Sequence, residues 1–144
     1  METTNNGNTR PAFLGKGWGF PVTFLKKPCR VRMVSDLDDI AESLTILFTT
    51  RPGERILRAD YGCGLDDLIH EPVNLSLTTY IKDIITKSVL FYEPRIELTR
   101  TDILTEDALE GRVKILLEGI VRASNTRFNY VFDYYKKEAT ITTQ

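Results

Sequence analysis

Few residues in this chain could carry nucleophilic chemistry. The sequence has one histidine, His70, and two cysteines, Cys29 and Cys63. A serine or cysteine nucleophile needs a neighbouring base, and His70 would have to supply it. Cys63 is the nearest candidate nucleophile, but it lies in a glycine turn, and nothing else with base or metal chemistry is spaced around His70. We therefore expect His70 to be structural, both thiols to be reduced, and no metal or cofactor to be bound.

Carboxylates offer a second chemistry, the cleavage of a glycosidic bond. A glycosidase needs two carboxyl groups, one of which is kept protonated by an apolar pocket. Four acids flank the long connection and the end of a predicted helix, namely Glu54, Asp60, Glu71 and Glu93. Nothing in the sequence places any of them in such a pocket. The sequence therefore favours a protein that is not an enzyme.

Charge and composition indicate which classes of molecule this protein is expected to bind. Nineteen Lys and Arg residues against twenty Asp and Glu residues give a formal net charge of −1. A chain that is nearly neutral exerts no long-range electrostatic attraction on nucleic acid or anionic lipid. Its apolar runs are shorter than the roughly 20 residues that span a bilayer. We expect protein partners, no nucleic acid, no membrane, and assembly in the cytoplasm.

The chain should form one domain behind a short arm. Its first residues contain Asn, Thr and Gly with one charge and no hydrophobic period, a composition that does not order itself. We predict a flexible arm over 1–12 and a single domain over 13–144, since 144 residues can bury one core. In 13–21, glycines separate three large aromatic side chains. This segment is predicted to pack as irregular chain over the core.

Two helices are predicted. Ser35 stands before three aspartates, which suit a helix N-terminus, and an apolar stripe follows that ends before Pro52. The second helix should run from about Ser76 to Phe91, and Pro94 forces its end. Between them, 51–75 is a long connection punctuated by Gly and Pro, of the kind that is usually functional or anchored. The side chains expected to face inward are Leu37, Ile40, Ala41, Leu44, Leu47 and Phe48, then Leu77, Ile81, Ile84, Ile85 and Val89.

Beyond Pro94 the apolar period changes to two, which is typical of half-buried strands. Strands are predicted around 96–99, 113–117 and 128–134, with turns at 106–111 and 124–126. The last strand has one aromatic face, formed by alternate residues. The fold class is therefore α+β, with two helices packed on one face of a small antiparallel β-sheet.

Five short motifs then occur in a fixed order. They are Phe13-Leu14-Gly15-Lys16-Gly17-Trp18-Gly19-Phe20-Pro21, Thr50-Arg51-Pro52-Gly53-Glu54-Arg55, Asp60-Tyr61-Gly62-Cys63-Gly64-Leu65, Glu93-Pro94-Arg95 and Asn125-Thr126-Arg127. Together, over about 13–140, they resemble the baseplate wedge family of contractile phage tails, type VI secretion and extracellular contractile injection particles. Its subunit is called the sheath initiator. Members are sometimes labelled lysozyme-like, so a tail-associated peptidoglycan hydrolase is the alternative function.

The resemblance implies that Glu93, Pro94 and Arg95 bind the wedge complex by docking on its helical core bundle. Glu93 ends the second predicted helix, where a carboxylate meets the negative end of the helix dipole. A basic partner would relieve that repulsion, and Arg95 offers a planar fork for carboxylates or carbonyls on another chain. The alternative is an internal ion pair between Glu93 and an arginine, tying helix to sheet.

The resemblance also implies that the C-terminal strands accept strands from the first sheath ring. A small sheet leaves at least one edge with unpaired backbone groups, and such an edge can bind a foreign strand. The alternative is a buried terminal strand. The expected partners are wedge proteins, the sheath protein and inner tube or hub proteins, in a sixfold particle. The predicted sheath-binding residues are Phe128, Asn129, Tyr130, Val131, Phe132, Asp133 and Tyr134, with Asn129, Val131 and Asp133 setting register.

Overall fold

The computed structural model describes residues 13–27, 29–68, 71–72, 74–105 and 112–135. It divides into two units, 1–42 and 43–144, and each is considered by itself. The predicted arm over 1–12, the candidate His70 and the turn at 106–111 lie outside the described residues. The single domain over 13–144 stays a prediction.

The first unit contains two pairs of short antiparallel strands, β1 (Lys16–Trp18) with β4 (Met33–Ser35) and β2 (Phe24–Leu25) with β3 (Arg30–Val31). The Gly19 N–H donates to the Arg32 carbonyl oxygen at 2.8 Å, and the Arg32 N–H donates to Thr23 at 2.9 Å. The prediction of irregular chain over 13–21 is therefore wrong at β1. Three residues with a central glycine carry no hydrophobic period, so this pairing could not be predicted from the pattern of residues.

The aromatic side chains of this segment lie at the surface. Phe13, Trp18 and Phe20 are all exposed. The segment is instead fixed through its backbone, because the Phe20 N–H donates to a carboxylate oxygen of Glu42 at 2.6 Å. Backbone anchoring of this kind leaves the large side chains at the surface.

The first helix, α1 (Asp36–Thr49), begins and ends where the sequence predicted. Three aspartates occupy its first turn, near the positive end of the helix dipole. Leu37 is exposed, so its predicted inward position is wrong. It lies in that first turn, at the margin of the apolar stripe, where fewer neighbours cover it. The buried residues of the stripe are Ile40, Leu44, Leu47 and Phe48.

The second helix, α2 (Leu75–Tyr92), is one residue longer at each end than predicted. Asn74 caps it, since the Asn74 side-chain oxygen accepts the Leu77 N–H at 2.8 Å. At the other end the Glu93 N–H donates to the Val89 carbonyl oxygen at 2.9 Å, and Pro94 prevents a further turn. The residues of α2 that are buried are Ile81, Ile85, Ser88 and Val89.

Three strands form the main sheet, β5 (Ile96–Leu104), β6 (Arg112–Val121) and β7 (Thr126–Tyr135), in the order β5-β6-β7. All neighbours are antiparallel, and a register shift between Leu98 and Arg100 interrupts the β5 ladder. Asn125 takes a left-handed conformation with φ of 53° in the tight turn before β7. All three predicted strands are confirmed.

In the second unit, the C-terminal part of α1 and the whole of α2 lie on the same face of this sheet. The Phe48 ring of α1 meets the Phe132 ring of β7 edge to face, with 5.3 Å between centroids. Leu77 and Ile81 of α2 line a small apolar cavity together with Ile115 of β6. The α+β class with two helices on one sheet face is therefore confirmed.

The connection 51–75 is anchored, as its composition predicted. Its only regular element among the described residues is a 3-10 turn, Leu65–Leu68. The Cys63 N–H donates to the Thr50 carbonyl oxygen at 3.2 Å, which closes the first half of the connection into a loop. Gly62, with φ of 129°, brings the chain back to Thr50 in a conformation that other residues rarely adopt.

This closure predicts the effect of Gly62→Ala. A Cβ at Gly62 would lie 2.5 Å from the Thr50 carbonyl oxygen, in addition to the φ penalty. We expect a loss of about 2 kcal/mol or more in the free energy of unfolding, measured by urea denaturation. Gly53→Ala is the matched control, because Gly53 has φ of 86° but no atom within 4 Å of its Cβ position. Equal losses in the two variants would show that the short distance between position 62 and the Thr50 carbonyl oxygen does not affect the free energy of unfolding.

Candidate assembly surfaces

The segment Glu93-Pro94-Arg95 contains a partly buried ion pair. The Arg95 Nε donates to one Glu93 carboxylate oxygen at 2.6 Å, and Nη2 donates to the other at 2.8 Å. Such a two-point fork is among the stronger side-chain contacts. The Glu93 side chain is 3% exposed and that of Arg95 is 31% exposed. Arg95 is thus the member of the pair that an outside molecule can reach.

The same segment joins α2 to the sheet. The Arg122 N–H at the end of β6 donates to the Arg95 carbonyl oxygen at 2.9 Å, and the Ile96 N–H donates to the Glu93 carbonyl oxygen at 3.3 Å. The geometry is therefore that of the internal ion pair considered from the sequence. Arg95 supplies the cation expected from a partner, so the helix dipole at Glu93 does not itself require one.

A loop lies against this end of α2. The Tyr92 hydroxyl donates to the Asp60 carbonyl oxygen at 2.6 Å, and the Tyr61 and Tyr92 rings meet with 5.1 Å between centroids. Arg55 places its guanidinium 4.2 Å from the centroid of the Tyr61 ring. Burial raises the pKa of the Tyr61 hydroxyl. The loop and the Glu93-Pro94-Arg95 segment therefore belong to one ordered region.

The second candidate surface is the outer margin of β7. Within the described residues, β7 pairs with β6 along ten positions and with no strand on its other side. The predicted residues divide by face. Phe128, Tyr130, Phe132 and Tyr134 point toward the helices, as the short contacts of Tyr130 with Thr45 (2.6 Å) and of Tyr134 with the Leu65 carbonyl oxygen (2.5 Å) show.

The remaining three residues lie on the opposite, outer face of β7. Asn129 and Asp133 are exposed, and Val131 is 55% exposed. The structure therefore places them where they could contact an added strand and its neighbours. The proposed role of Asn129, Val131 and Asp133 in setting register stays a prediction. The aromatic side chains of β7 fit the buried-strand alternative, whereas no strand among the described residues pairs with its outer margin.

The acids that could form a glycosidase pair are held in other contacts. Glu54 accepts the Arg51 N–H at 3.0 Å, Asp60 accepts the Tyr92 hydroxyl, and Glu93 is paired with Arg95. Glu71 is exposed. Across the described ranges, no group of three His, Cys, Asp or Glu side chains is arranged to hold a metal ion.

No helix in the part of the chain that the structure describes combines the length and apolarity needed to cross a membrane.

Cys63 is placed unfavourably for nucleophilic chemistry. Its side chain is buried, and burial raises the pKa of the thiol to about 11, while a hydrogen bond with Ser88 acts in the opposite direction. The thiolate is the reactive form of cysteine, so a buried neutral thiol is inert.

Comparison with known proteins decides the family. Residues 34–126, more than half of the chain, match the family described as Baseplate wedge protein gp25. The chain belongs to this family. The resemblance seen in the ordered motifs is confirmed, and the Glu93-Pro94-Arg95 segment lies well inside the matched residues. Nearly all of β7 lies beyond them.

Members of the baseplate wedge family and solved structures agree with this assignment. Baseplate protein W of Escherichia phage P2 is 34% identical over 86 residues, which span 60% of this chain and 73% of that protein. The anti-feeding prophage baseplate contains a chain that is 28% identical, with a TM-score of 0.60, covering 88% of this chain and 89% of its own length.

Two further structures are similar to this member of the family. The contracted pyocin R2 baseplate contains a chain that is 25% identical, with a TM-score of 0.55, covering 70% of this chain and 98% of its own. A crystal structure from Geobacter sulfurreducens is 39% identical, with a TM-score of 0.67, covering 74% and 96%. That protein carries the provisional name of a tail lysozyme.

One feature of this chain was missed from the sequence. Ile56 and Leu57, in the loop against Tyr92, are almost fully exposed. Adjacent aliphatic residues normally indicate core. The signal available was their position between Arg55 and Arg58, in a turn opened by Pro52 and Gly53.

The ion pair predicts that Arg95→Ala destabilises the protein. The substitution leaves the Glu93 carboxylate buried without its cation, and we expect a loss of about 2–4 kcal/mol in the free energy of unfolding. Lys87→Ala is the control, because its pair with Asp83 is exposed and should contribute less than about 0.5 kcal/mol. Chemical denaturation of both variants checks this. A loss in Arg95→Ala no larger than in Lys87→Ala would contradict a structural role for the pair.

The two thiols should differ in reactivity. Cys29 is exposed and Cys63 is buried, so iodoacetamide at neutral pH should label Cys29 alone in the folded protein, as read by peptide mass spectrometry. Folding raises the Cys63 pKa from 9.0 to about 11. The resulting stabilisation is complete below pH 9 and is lost as pH rises toward 11. Rapid labelling of Cys63 in a folded Cys29→Ser variant at neutral pH would refute its burial.

Proposed function

We propose that this chain is a non-enzymatic structural subunit of the baseplate of a contractile injection system. It binds the wedge complex through Glu93-Pro94-Arg95 and templates the first sheath ring by β-strand addition at β7. Family membership supports the baseplate assignment. The observation that carries the templating step is the outer margin of β7, which no other described strand covers.

Strand addition needs an edge that is already ordered, because ordering it on binding would weaken the complex. The inward face of β7 provides that order. Phe132 packs on Phe48, and the Phe128 and Tyr130 rings stack with 6.2 Å between centroids. The backbone of β7 is therefore held against β6, while no other strand in the described residues pairs with its opposite side. Main-chain hydrogen bonds would give affinity, and the outer side chains would select the register.

Each residue of Glu93-Pro94-Arg95 would contribute differently to binding the wedge complex. Pro94 is exposed and Arg95 is half-buried, so these two residues form the accessible part. The buried Glu93 carboxylate accepts two hydrogen bonds from the Arg95 guanidinium and so fixes its orientation. A fixed, planar guanidinium loses little entropy when it binds carboxylates or carbonyl oxygens of a partner. The segment thus suits docking on a helical bundle, whose helix ends present carbonyl groups.

A non-enzymatic role is supported by the contacts of the candidate acids. Glu93 is buried in its ion pair, and Glu54 and Asp60 accept hydrogen bonds within an exposed loop. Each of these contacts joins an acid to another group of the chain, and none of them joins two acids into a glycosidase pair. The alternative function, a tail-associated peptidoglycan hydrolase, is supported by the lysozyme name of the Geobacter sulfurreducens protein. The sheath protein and inner tube or hub proteins complete the proposed partners, in a particle assembled in the cytoplasm.

Disulfide trapping tests the templating step. Deleting the strand would be uninformative, because Phe128 is buried and the sheet would lose its third strand. Val131→Cys, in a Cys29→Ser background, places a thiol on the outer face of β7. Directly opposite side chains on adjacent strands have Cβ atoms about 4.5–5.5 Å apart, and the closest of these pairs, the non-hydrogen-bonded ones, approach the roughly 3.5–4.5 Å that a disulfide needs. We expect it to cross-link to single cysteines scanned along the terminal strands of the sheath protein.

The control for this experiment is Arg100→Cys on β5, the strand at the other side of the sheet. It should give no cross-link to the sheath. Baseplates that carry full-length sheath, yet show no cross-link at Val131 with any scanned sheath position, would contradict strand addition at β7. Cross-links from both positions would show that contact is not specific to β7.

A further inference from the structure

The tip of the loop 51–60 exposes two adjacent aliphatic side chains. Ile56 is 98% exposed and Leu57 is 94% exposed, the highest values for large apolar side chains in the described part of the chain. Single exposed apolar residues are common on protein surfaces. Two neighbours projecting together from a loop tip form a small apolar knob, which other molecules can bury.

Hydrogen bonds at its base hold this knob away from the core. The Gly53 N–H donates to the Ala59 carbonyl oxygen at 2.6 Å, which closes the loop across its neck. The Arg51 N–H donates to a Glu54 carboxylate oxygen at 3.0 Å, and the Glu54 N–H donates to the Arg51 carbonyl oxygen at 3.1 Å. A loop ordered in this way binds without a large entropic penalty.

The neck of the loop is attached to the end of α2 that precedes Glu93. Tyr92 contacts Asp60 through its hydroxyl and Tyr61 through its ring. Phe91, the preceding residue of the helix, is itself exposed. The knob and the proposed wedge-binding segment are therefore carried by the same ordered end of the second unit.

Positive charge flanks the knob on both sides. Arg55 and Arg58 directly precede and follow the aliphatic pair. The Arg58 side chain is largely exposed, and its Nε lies 3.8 Å from Asp60, a distance typical of a weak surface pair. An apolar cleft with carboxylates along its rim would complement the aliphatic pair and these two arginines.

We propose that the Ile56–Leu57 knob is a second anchor for the wedge, inserted into an apolar cleft of a wedge protein whose rim carries Asp or Glu side chains. This proposal rests on the proposed wedge-binding function. Binding through a second copy of this chain is disfavoured, because it would bring the same arginines together. Insertion into a bilayer is disfavoured, because two aliphatic side chains bury too little apolar surface to hold a folded protein on a membrane.

Affinity measurements with the wedge proteins of the same particle test the knob. The full chain carrying Ile56→Ser with Leu57→Ser should bind purified wedge complex at least about tenfold more weakly than the wild type. Its free energy of unfolding should be unchanged, because both side chains are exposed. Leu75→Ser is the matched control, since Leu75 is an exposed leucine at the start of α2. That control should bind as the wild type does.

The charged rim has its own test. Arg58→Glu should weaken binding, and Arg58→Lys should restore most of it. A photo-reactive benzoylphenylalanine at position 57 should cross-link to a wedge-protein peptide bordered by Asp or Glu. Cross-linking to a second copy of this chain, or binding of the wild type to phosphatidylglycerol vesicles that the double serine variant loses, would overturn the proposed occupant.

Parallel measurement of Arg95→Ala, at a temperature where it is fully folded, separates the two proposals. Weak binding by Arg95→Ala with normal binding by the double serine variant would overturn the knob and leave the wedge-binding segment standing. Weak binding by the double serine variant alone would support the knob and contradict the role of Arg95. Normal binding by both variants would overturn both assignments.

Discussion

Burial of the aromatic side of β7 against α1 is the contact on which the proposed function depends. Phe132 meets Phe48, and the Tyr130 hydroxyl meets Thr45 at 2.6 Å. Aromatic contacts of this kind stabilise by about 0.5–1.5 kcal/mol beyond the area that they bury. These contacts hold one face of β7, and pairing with β6 holds one of its two edges. The other edge of β7 is thereby ordered, although no described strand covers it. A mobile strand could not template a register.

The sheet also connects the proposed surfaces. Arg95 lies where β5 begins and β6 ends, since its carbonyl oxygen accepts the Arg122 N–H. β7 begins beside the same point, because Thr126 pairs with Val121. The proposed wedge-binding segment therefore lies at one end of the sheet, and the margin of β7 runs away from it. A chain docked through Arg95 would hold the strand edge in a fixed direction.

Much of this fold was predictable from local pattern. Both helices and all three long strands were correctly predicted. The signals were the aspartates that begin α1, the proline that follows α2, and the alternation of apolar residues beyond that proline. The pairing of β1 with β4 was not predictable, because a three-residue strand with a central glycine has no period. The candidate sites were harder. Whether Glu93 pairs within the chain, and whether Ile56 and Leu57 are buried, depends on contacts between distant segments that spacing does not encode.

Electron cryo-microscopy of an assembled baseplate carrying its first sheath ring is the most direct test of strand addition. Strand addition predicts a strand of the sheath protein beside β7, at the spacing of about 4.8 Å that main-chain hydrogen bonds impose. A map in which the outer margin of β7 faces solvent, or is covered by this chain's own backbone, would contradict it.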